Sequence, residues 1–405
     1  MLVAEAAKLD SRKREETEHG QAWEIVAMTY PKPTVRTVSG NGAFVLGRGS
    51  TTNVQLQDAS VSREHARLTF GGPVALVEDL GSANGTRIVT VEQDGPHGAP
   101  RTADVPLAPH RPVKLPENAT LHLGSVVVLV RRAWRPSEGL PTGLVAKSAL
   151  MEDVVRMLDR VAPSPLHVVL VGPPGVGRDT LARALHERSR RASGPFVSTQ
   201  ASSRPAAVME RELFGIERDD QRSALPPKAG LLEAAHRGTL MIDSIGSLAA
   251  PLQSELLRAL SGQQVKRVGS RKATALDVRL IVGTTQEDSF CRSLAQLGGV
   301  TLDVPALALR PDDVEALAEA FVARAAYALG RPAPEISREA RVILLEYAWP
   351  QNVRELAEIM TRAVPLAGDG AILPGHLLLL SEHGSRELAD ESEITVMHRL
   401  PRLPL

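Results

Sequence analysis

The chain has 405 residues, enough for two or three domains, each with its own core. Lysine plus arginine balances aspartate plus glutamate at 47 each, which gives no support for bulk electrostatic binding to nucleic acid or an anionic membrane. The single cysteine, Cys291, excludes an intramolecular disulfide framework, and no apolar run of about 18 residues offers a membrane span, so a cytoplasmic protein is expected.

Residues 1–20 are polar and read as a loose lead-in; their charged stretch Ser11–Glu16 lacks the apolar core of a signal peptide. From 21 to 132 the pattern is β-like. Short alternating runs (WEIVAM, AFVLG, ARLTF, VALVED, SVVVLV) are separated by glycine, proline and asparagine, which predicts an all-β sandwich. A proline-rich stretch over 90–120 interrupts the pattern and is longer than most hairpin loops. Two segments between the strands stand out: GRGSTTNVQLQDASVSREHARL at 47–68 and DLGSANGT at 79–86.

Together these segments resemble the forkhead-associated (FHA) domain, through the Gly-Arg turn, the Ser-Arg-x-His box and the Gly-Ser-x-Asn-Gly-Thr box. The resemblance implies a reader of phosphothreonine, whose phosphate carries roughly −1.5 to −2 charges and three strong acceptor oxygens. The residue types suit that ligand. Arg48 offers a forked cation, Ser62 a hydroxyl, Arg63 a second cation, and Asn84 both a donor and an acceptor for the bound peptide backbone. The resemblance further implies that Gly47, His65, Gly85 and Thr86 are structural, with His65 bracing the loop of Ser62. The 90–120 stretch departs from compact members of the family and bears on specificity.

Residues 133–143 (AWRPSEGLPTG) read as a linker. From 144 to 310 the pattern becomes α/β. A helix around 148–161 leads to an apolar strand at 166–171, a glycine-rich turn and a helix over 179–191, with further apolar strands at 239–243 and 278–284. The turn GPPGVGRDT at 172–180 stands where a phosphate-binding P-loop needs to stand, after a strand and opening a helix. Its lysine position is Arg178, which is bulkier and forked; Asp179 follows, and Thr180 lies one position later than the usual magnesium-binding hydroxyl. Residues 311–380 are helical in pattern and predict a small α-helical lid. Residues 381–405 form a tail without the length or periodicity of a helix-turn-helix, so direct DNA binding is not expected.

ELFG at 212–215, GLLEAAHRGTLMIDSIGSL at 230–248, VRLIVGTT at 278–285 and WPQNVREL at 349–356 follow in order. The series resembles the AAA+ ATPase domain of the sigma-54-dependent transcription activators over about 144–366. The expected architecture is therefore multidomain: an all-β FHA sandwich, an α/β AAA+ domain of P-loop type, and the helical lid. The resemblance implies ATP with magnesium as the candidate cofactor. Its nucleotide-binding residues here are Gly172, Gly175, Gly177, Arg178, Asp179, Thr180, Asp243 and Arg354, with Asp243 as the magnesium carboxylate.

Departures from the family pattern bear on chemistry. Ser244 stands where a carboxylate would polarise the attacking water, and a hydroxyl cannot serve as that base near neutral pH. Thr285 replaces the sensor asparagine, and the arginine-finger segment is shortened to FCRSLAQLGG at 290–299, with Arg292 out of clear register. No catalytic residue is assigned, and a pseudo-ATPase is expected. The segment 216–230 (IERDDQRSALPPKAG) replaces the family's Gly-Ala-Phe-Thr-Gly-Ala loop and puts contact with sigma-54 in doubt. The expected function is phosphothreonine-dependent signalling or transcription regulation. A threonine-phosphorylated protein docks on the FHA domain, and an impaired AAA+ domain joins a homo- or hetero-oligomeric ring. Two alternatives stay open: an ATP-hydrolysing sigma-54-dependent activator, or a non-catalytic subunit of a mixed ring. The eleven histidines have no metal-site spacing, and Cys291 reads as incidental.

Overall fold

The computed structural model describes residues 23–28, 34–38, 41–71, 74–93, 100–116, 119–132, 143–217 and 227–379. The expected lead-in and tail, nearly all of the linker, and residues 218–226 of the replaced loop lie outside these residues.

The first eleven strands build a two-sheet sandwich. They are β1 (Trp23–Met28), β2 (Thr34–Val38), β3 (Gly42–Gly47), β4 (Val54–Gln55), β5 (Ala66–Gly71), β6 (Val74–Asp79), β7 (Thr86–Gln93), β8 (Pro100–Pro106), β9 (Val113–Lys114), β10 (Ala119–Leu123) and β11 (Val126–Arg132). One sheet runs β2-β1-β11-β10-β7-β8 and the other β4-β3-β5-β6-β9. β5 keeps strict alternation, with Ala66, Leu68 and Phe70 inward and Arg67 and Thr69 outward, as a strand with one wet face should. The expected interruption over 90–120 also carries strands: β7 pairs with β8 and β10, and β9 closes the second sheet. Pro100 and Pro106 stand at the two ends of β8, an edge strand, where a missing N–H costs the ladder little.

β1 and β11 depart from the expected alternation because both of their faces are covered. Trp23, Ile25 and Ala27 of β1, with Val126, Val128 and Val130 of β11, fill the sandwich core. The opposite face, Val26, Val127 and Leu129, joins a different core, that of the α/β domain.

That domain carries a five-stranded parallel sheet, with strand order β13-β16-β19-β12-β20. Its strands are β12 (His167–Val171), β13 (Phe196–Gln200), β16 (Thr239–Asp243), β19 (Arg279–Thr284) and β20 (Gly299–Asp303). Two short antiparallel pairs accompany it, β14 (Gly215–Ile216) with β15 (Lys228–Ala229) and β17 (Gln264–Lys266) with β18 (Ala273–Ala275). The helices are α1 (Ala149–Val161), α2 (Arg178–Glu187), α3 (Ala206–Phe214), α4 (Leu231–Ala234), α5 (Ala250–Gly262) and α6 (Ser289–Gln296). Ser148 caps α1, accepting from the Met151 N–H at 3.2 Å while donating its own hydroxyl to Asp313 at 2.8 Å. Strand β19 is buried at all six positions, as a central parallel strand should be.

The remaining helices are α7 (Pro311–Ala328), α8 (Arg338–Glu346) and α9 (Asn352–Leu366). The described residues divide into two compact units, those up to 317 with 347–356, and 318–346 with 357–379. Within the second, Ile336 bridges Ile372 and Arg341 pairs with Glu319 at 2.8 Å. No helix among the described residues is long and apolar enough to cross a membrane.

Candidate functional sites

The first site lies on the loops after β3 and before β5. Backbone bonds zip these loops together: the Arg48 N–H donates to Ser62 O, the Gly49 N–H to Arg63 O and the His65 N–H to Leu46 O, each at 2.9 Å. Gly47 lies so close to the second loop that a β-carbon there would sit 2.2 Å from Arg63 O. Arg48, Gly49, Ser50, Thr51, Arg63 and Glu64 line an open concavity. Arg48 and Arg63 are exposed, and no ion-pair or hydrogen-bond partner of either guanidinium is found among the described residues.

Beneath them the support is dense. The Ser62 N–H donates to His65 Nδ1 at 3.0 Å, so the ring proton sits on Nε2, which donates to Gly85 O at 3.1 Å. His65 is fully buried, and burial pushes its pKa down, against the pull of the Gly85 carbonyl and Asp79. The Ser62 hydroxyl accepts from the Ala83 N–H at 3.0 Å, which leaves its own proton free to donate. Asn84 gives one amide proton to Ser60 O at 2.8 Å, so it holds the receiving loop and keeps its other amide proton and its carbonyl oxygen for a peptide. Gly85 adopts φ +71°, a left-handed conformation that favours glycine.

Asp79 is a supporting residue that sequence reasoning missed. Thr86 and Ser82 donate hydroxyls to its Oδ2, and the Gly81 and Ser82 N–H groups donate to its Oδ1. Burial alone would raise this carboxyl; the four donors outweigh it and hold the pKa below the usual carboxylate range. An acid at the end of a strand carries no local signal of this role.

The second site lies at the C-terminal ends of β12, β19 and β16. Gly177 at φ +106° and Gly175 at φ +74° shape the turn into α2. The 349–356 motif grips that turn: Asn352 Nδ2 donates to Pro174 O at 3.0 Å, and the Arg354 N–H donates to Gly175 O at 3.1 Å. A β-carbon on Gly175 would meet Gln351 O at 2.2 Å. The side chain of Arg354 is exposed. Arg310, also missed in the sequence, is buried and donates to Val176 O at 3.0 Å.

Arg178 does not project from the loop. Only 6% exposed, it folds across the end of β19 to Asp243. Its Nη2 donates to Asp243 Oδ2 at 3.1 Å, and its Nε lies 2.8 Å from Oδ1, close enough to neutralise but outside hydrogen-bond geometry. Its Nη1 donates to the carbonyls of Gly172 and Thr284. Asp179 turns aside to accept from the Ser198 hydroxyl at 3.0 Å. Ser244 follows Asp243 in a left-handed conformation, φ +56°. Thr180 and Ser244 are half-buried, while Thr285 and Arg292 are exposed. Cys291 is buried on α6, and burial pushes its thiol up to about 11, so it is no nucleophile.

These donors do not fit a magnesium ion. Mg²⁺ needs oxygens at 2.0–2.1 Å in near-octahedral array. Here Asp243 faces a guanidinium with both oxygens, Asp179 is turned to Ser198, and the position after Asp243 offers only Ser244. Among the described residues no group of three or more His, Cys, Asp or Glu side chains is placed to hold a metal.

Three protein families match the chain: the FHA domain over residues 44–124, the Sigma-54 interaction domain over 144–293, and the AAA+ ATPase lid domain over 308–393. The chain is 36% identical over 254 residues to the sigma-54-dependent transcriptional activator SfnR of Pseudomonas putida, covering 58% of this chain and 68% of that one. It is 35% identical over 267 residues to the transcriptional regulatory protein FlbD of Caulobacter vibrioides, covering 63% and 56%. Among solved structures it resembles NtrX from Brucella abortus in complex with ADP. That match has 33% identity and a TM-score of 0.54, over 64% of this chain and 59% of that one. The ATP complex of the same protein gives 33% identity and a TM-score of 0.53, over 58% and 56%. The chain thus spans about two thirds of SfnR and just over half of FlbD and NtrX.

Proposed function

Because the chain belongs to the sigma-54-dependent transcriptional activators, we propose that it is a cytoplasmic regulator of that kind addressed by a threonine-phosphorylated partner. The observation that carries this reading is the pair of exposed guanidinia, Arg48 and Arg63, on loops fixed by backbone bonds beside the Ser62 hydroxyl. Charge-assisted bonds from forked guanidinia to phosphate are strong, and a rigid loop loses little entropy on forming them. Sigma-54 polymerase is the proposed downstream partner. The doubt raised by the replaced loop at 216–230 finds no support in the family match, and part of that segment lies outside the described residues. Titration calorimetry with a phosphothreonine peptide and its unphosphorylated twin tests the site. Arg48→Ala and Ser62→Ala should each weaken phosphopeptide binding by at least about tenfold, a loss of ~1.4 kcal/mol or more. Unchanged affinity in both variants would sink the assignment.

The α/β domain is proposed to bind ATP or ADP and to hydrolyse ATP poorly, alone or in a ring with copies or homologues. Support comes from the intact loop geometry of Gly172, Gly175 and Gly177 and from Arg354 held beside it. The pairing of Arg178 with Asp243 and the hydroxyl at Ser244 argue against efficient turnover. Membership in an activator family favours the second reading, an ATP-hydrolysing activator. Phosphate release from MgATP over a range of protein concentrations separates the two. Background rates throughout fit the first, and turnover rising cooperatively with concentration establishes the second.

A further inference from the structure

We propose that the Arg178 guanidinium is the resident cation of the nucleotide site, so that nucleotide binds here without a divalent metal. The inference rests on the reading that the α/β domain binds nucleotide. It starts from where Arg178 sits. Strand order places the end of β19 between the P-loop strand β12 and the Asp243 strand β16. The guanidinium spans that gap, with two contacts on Asp243 and bonds to the carbonyls of Gly172 and Thr284. All of its nitrogens are engaged by groups of the site's own floor.

A lysine cannot reproduce this arrangement. Its ammonium is a point charge, whereas the planar fork meets both oxygens of one carboxylate and still donates sideways. Gly283 makes room for the pair: a β-carbon there would stand 2.0 Å from Asp243 Oδ1 and 3.0 Å from Arg178 Nε. For magnesium to reach Asp243, the guanidinium would have to leave both oxygens. It would also abandon the buried Gly172 carbonyl, for Thr284 O alone keeps a second donor, the Gly172 N–H at 3.0 Å, and an orphaned buried acceptor is costly. With positive charge already fixed at the carboxylate, the phosphates are received by backbone N–H groups of the turn and by the α2 N-terminus, neither of which needs a metal.

Equilibrium binding of mant-ADP to the full chain, in excess MgCl₂ and in excess EDTA, tests this. The wild type should bind equally in both, within about twofold. Arg178→Lys should release Asp243 and make binding metal-dependent, at least about tenfold weaker in EDTA. Gly283→Ala should move the response the same way with no change of charge, since its methyl displaces the flexible end of Asp243 rather than backbone. It serves if the lysine variant fails to fold. Wild-type binding that requires Mg²⁺ overturns the inference while the nucleotide-binding reading stands. Binding in neither condition overturns both. EDTA-insensitive binding in both folded variants also overturns it, because the Arg178–Asp243 pair would then not be the cause.

Discussion

Gly47 illustrates how narrowly the phosphate-facing loops are set. The atom that its β-carbon would meet at 2.2 Å is a backbone carbonyl, which cannot rotate away as a side chain can. Gly47→Ala should therefore part the loops of Arg48 and Arg63. The expected cost is about 1–3 kcal/mol of stability, with loss of phosphopeptide affinity. Urea unfolding and the calorimetric titration read the two effects; a variant as stable and as tight-binding as wild type would refute the packing argument. At this scale Arg48, Ser62, His65 and Gly85 are legible in the sequence, because their spacing is a motif and each role follows from residue chemistry. Asp79 and Arg310 are not, since what defines them is the set of donors or acceptors that tertiary structure gathers around them. Arg178 is half legible. Its identity warns that the loop is altered, but only the fold reveals that the side chain points inward to Asp243.

Strands β1 and β11 carry the clearest lesson at the level of elements. An apolar run such as Val126–Val130 announces a strand, but reading it as alternating missed the second covered face that its unbroken apolarity reflects. That face joins the same core as Met151, Val154, Val155 and Leu158 of α1. Where the apolar stripe ends, Glu24 of β1 sits between Arg131 of β11 and Arg160 of α1, at 2.8 and 3.0 Å. Glu24 and Arg131 are both buried. Burial pushes the Arg131 pKa down, and Glu24 draws it back. Glu24→Ala would leave Arg131 and Arg160 without their shared partner, with Asp159 the remaining nearby carboxylate, and should cost about 3–5 kcal/mol. Chemical denaturation checks this; a change near zero would mean that the triad is solvated and the contact loose. Strands β8, β9 and β10 escape sequence reading for another reason. β8 begins and ends on proline, which mimics loop composition, and β9 is only two residues long.

For the first compact unit taken whole, the seam between sandwich and α/β domain is mixed in character. Besides the apolar stripe, Asp277 accepts from Thr102 of β8 and from Arg191, and a cavity of about 210 Å³ lies among Arg87, His122, His167, Arg191 and Asp277. Burial, then Arg87, push the His122 pKa down to about 4; burial, then Arg279, take His167 to about 3. The unfolded chain binds these protons at the ordinary value of 6.5, the folded chain only well below it. Stability should thus be full above about pH 6.5 and fall as pH drops toward 4 and then 3, each imidazole adding to the slope. His122→Gln should flatten the curve between pH 6.5 and 4, as measured by denaturation midpoints across pH. An unaltered slope would exclude His122 as a contributor.

The two covered faces of β1 and β11 have a practical corollary. A fragment ended at Arg132 would carry Val26, Val127 and Leu129 into water as a bare apolar stripe, a surface prone to self-association. Family boundaries at 124 and 144 suggest two portable modules. The buried stripe says otherwise: scissors applied between them would cut through an interior.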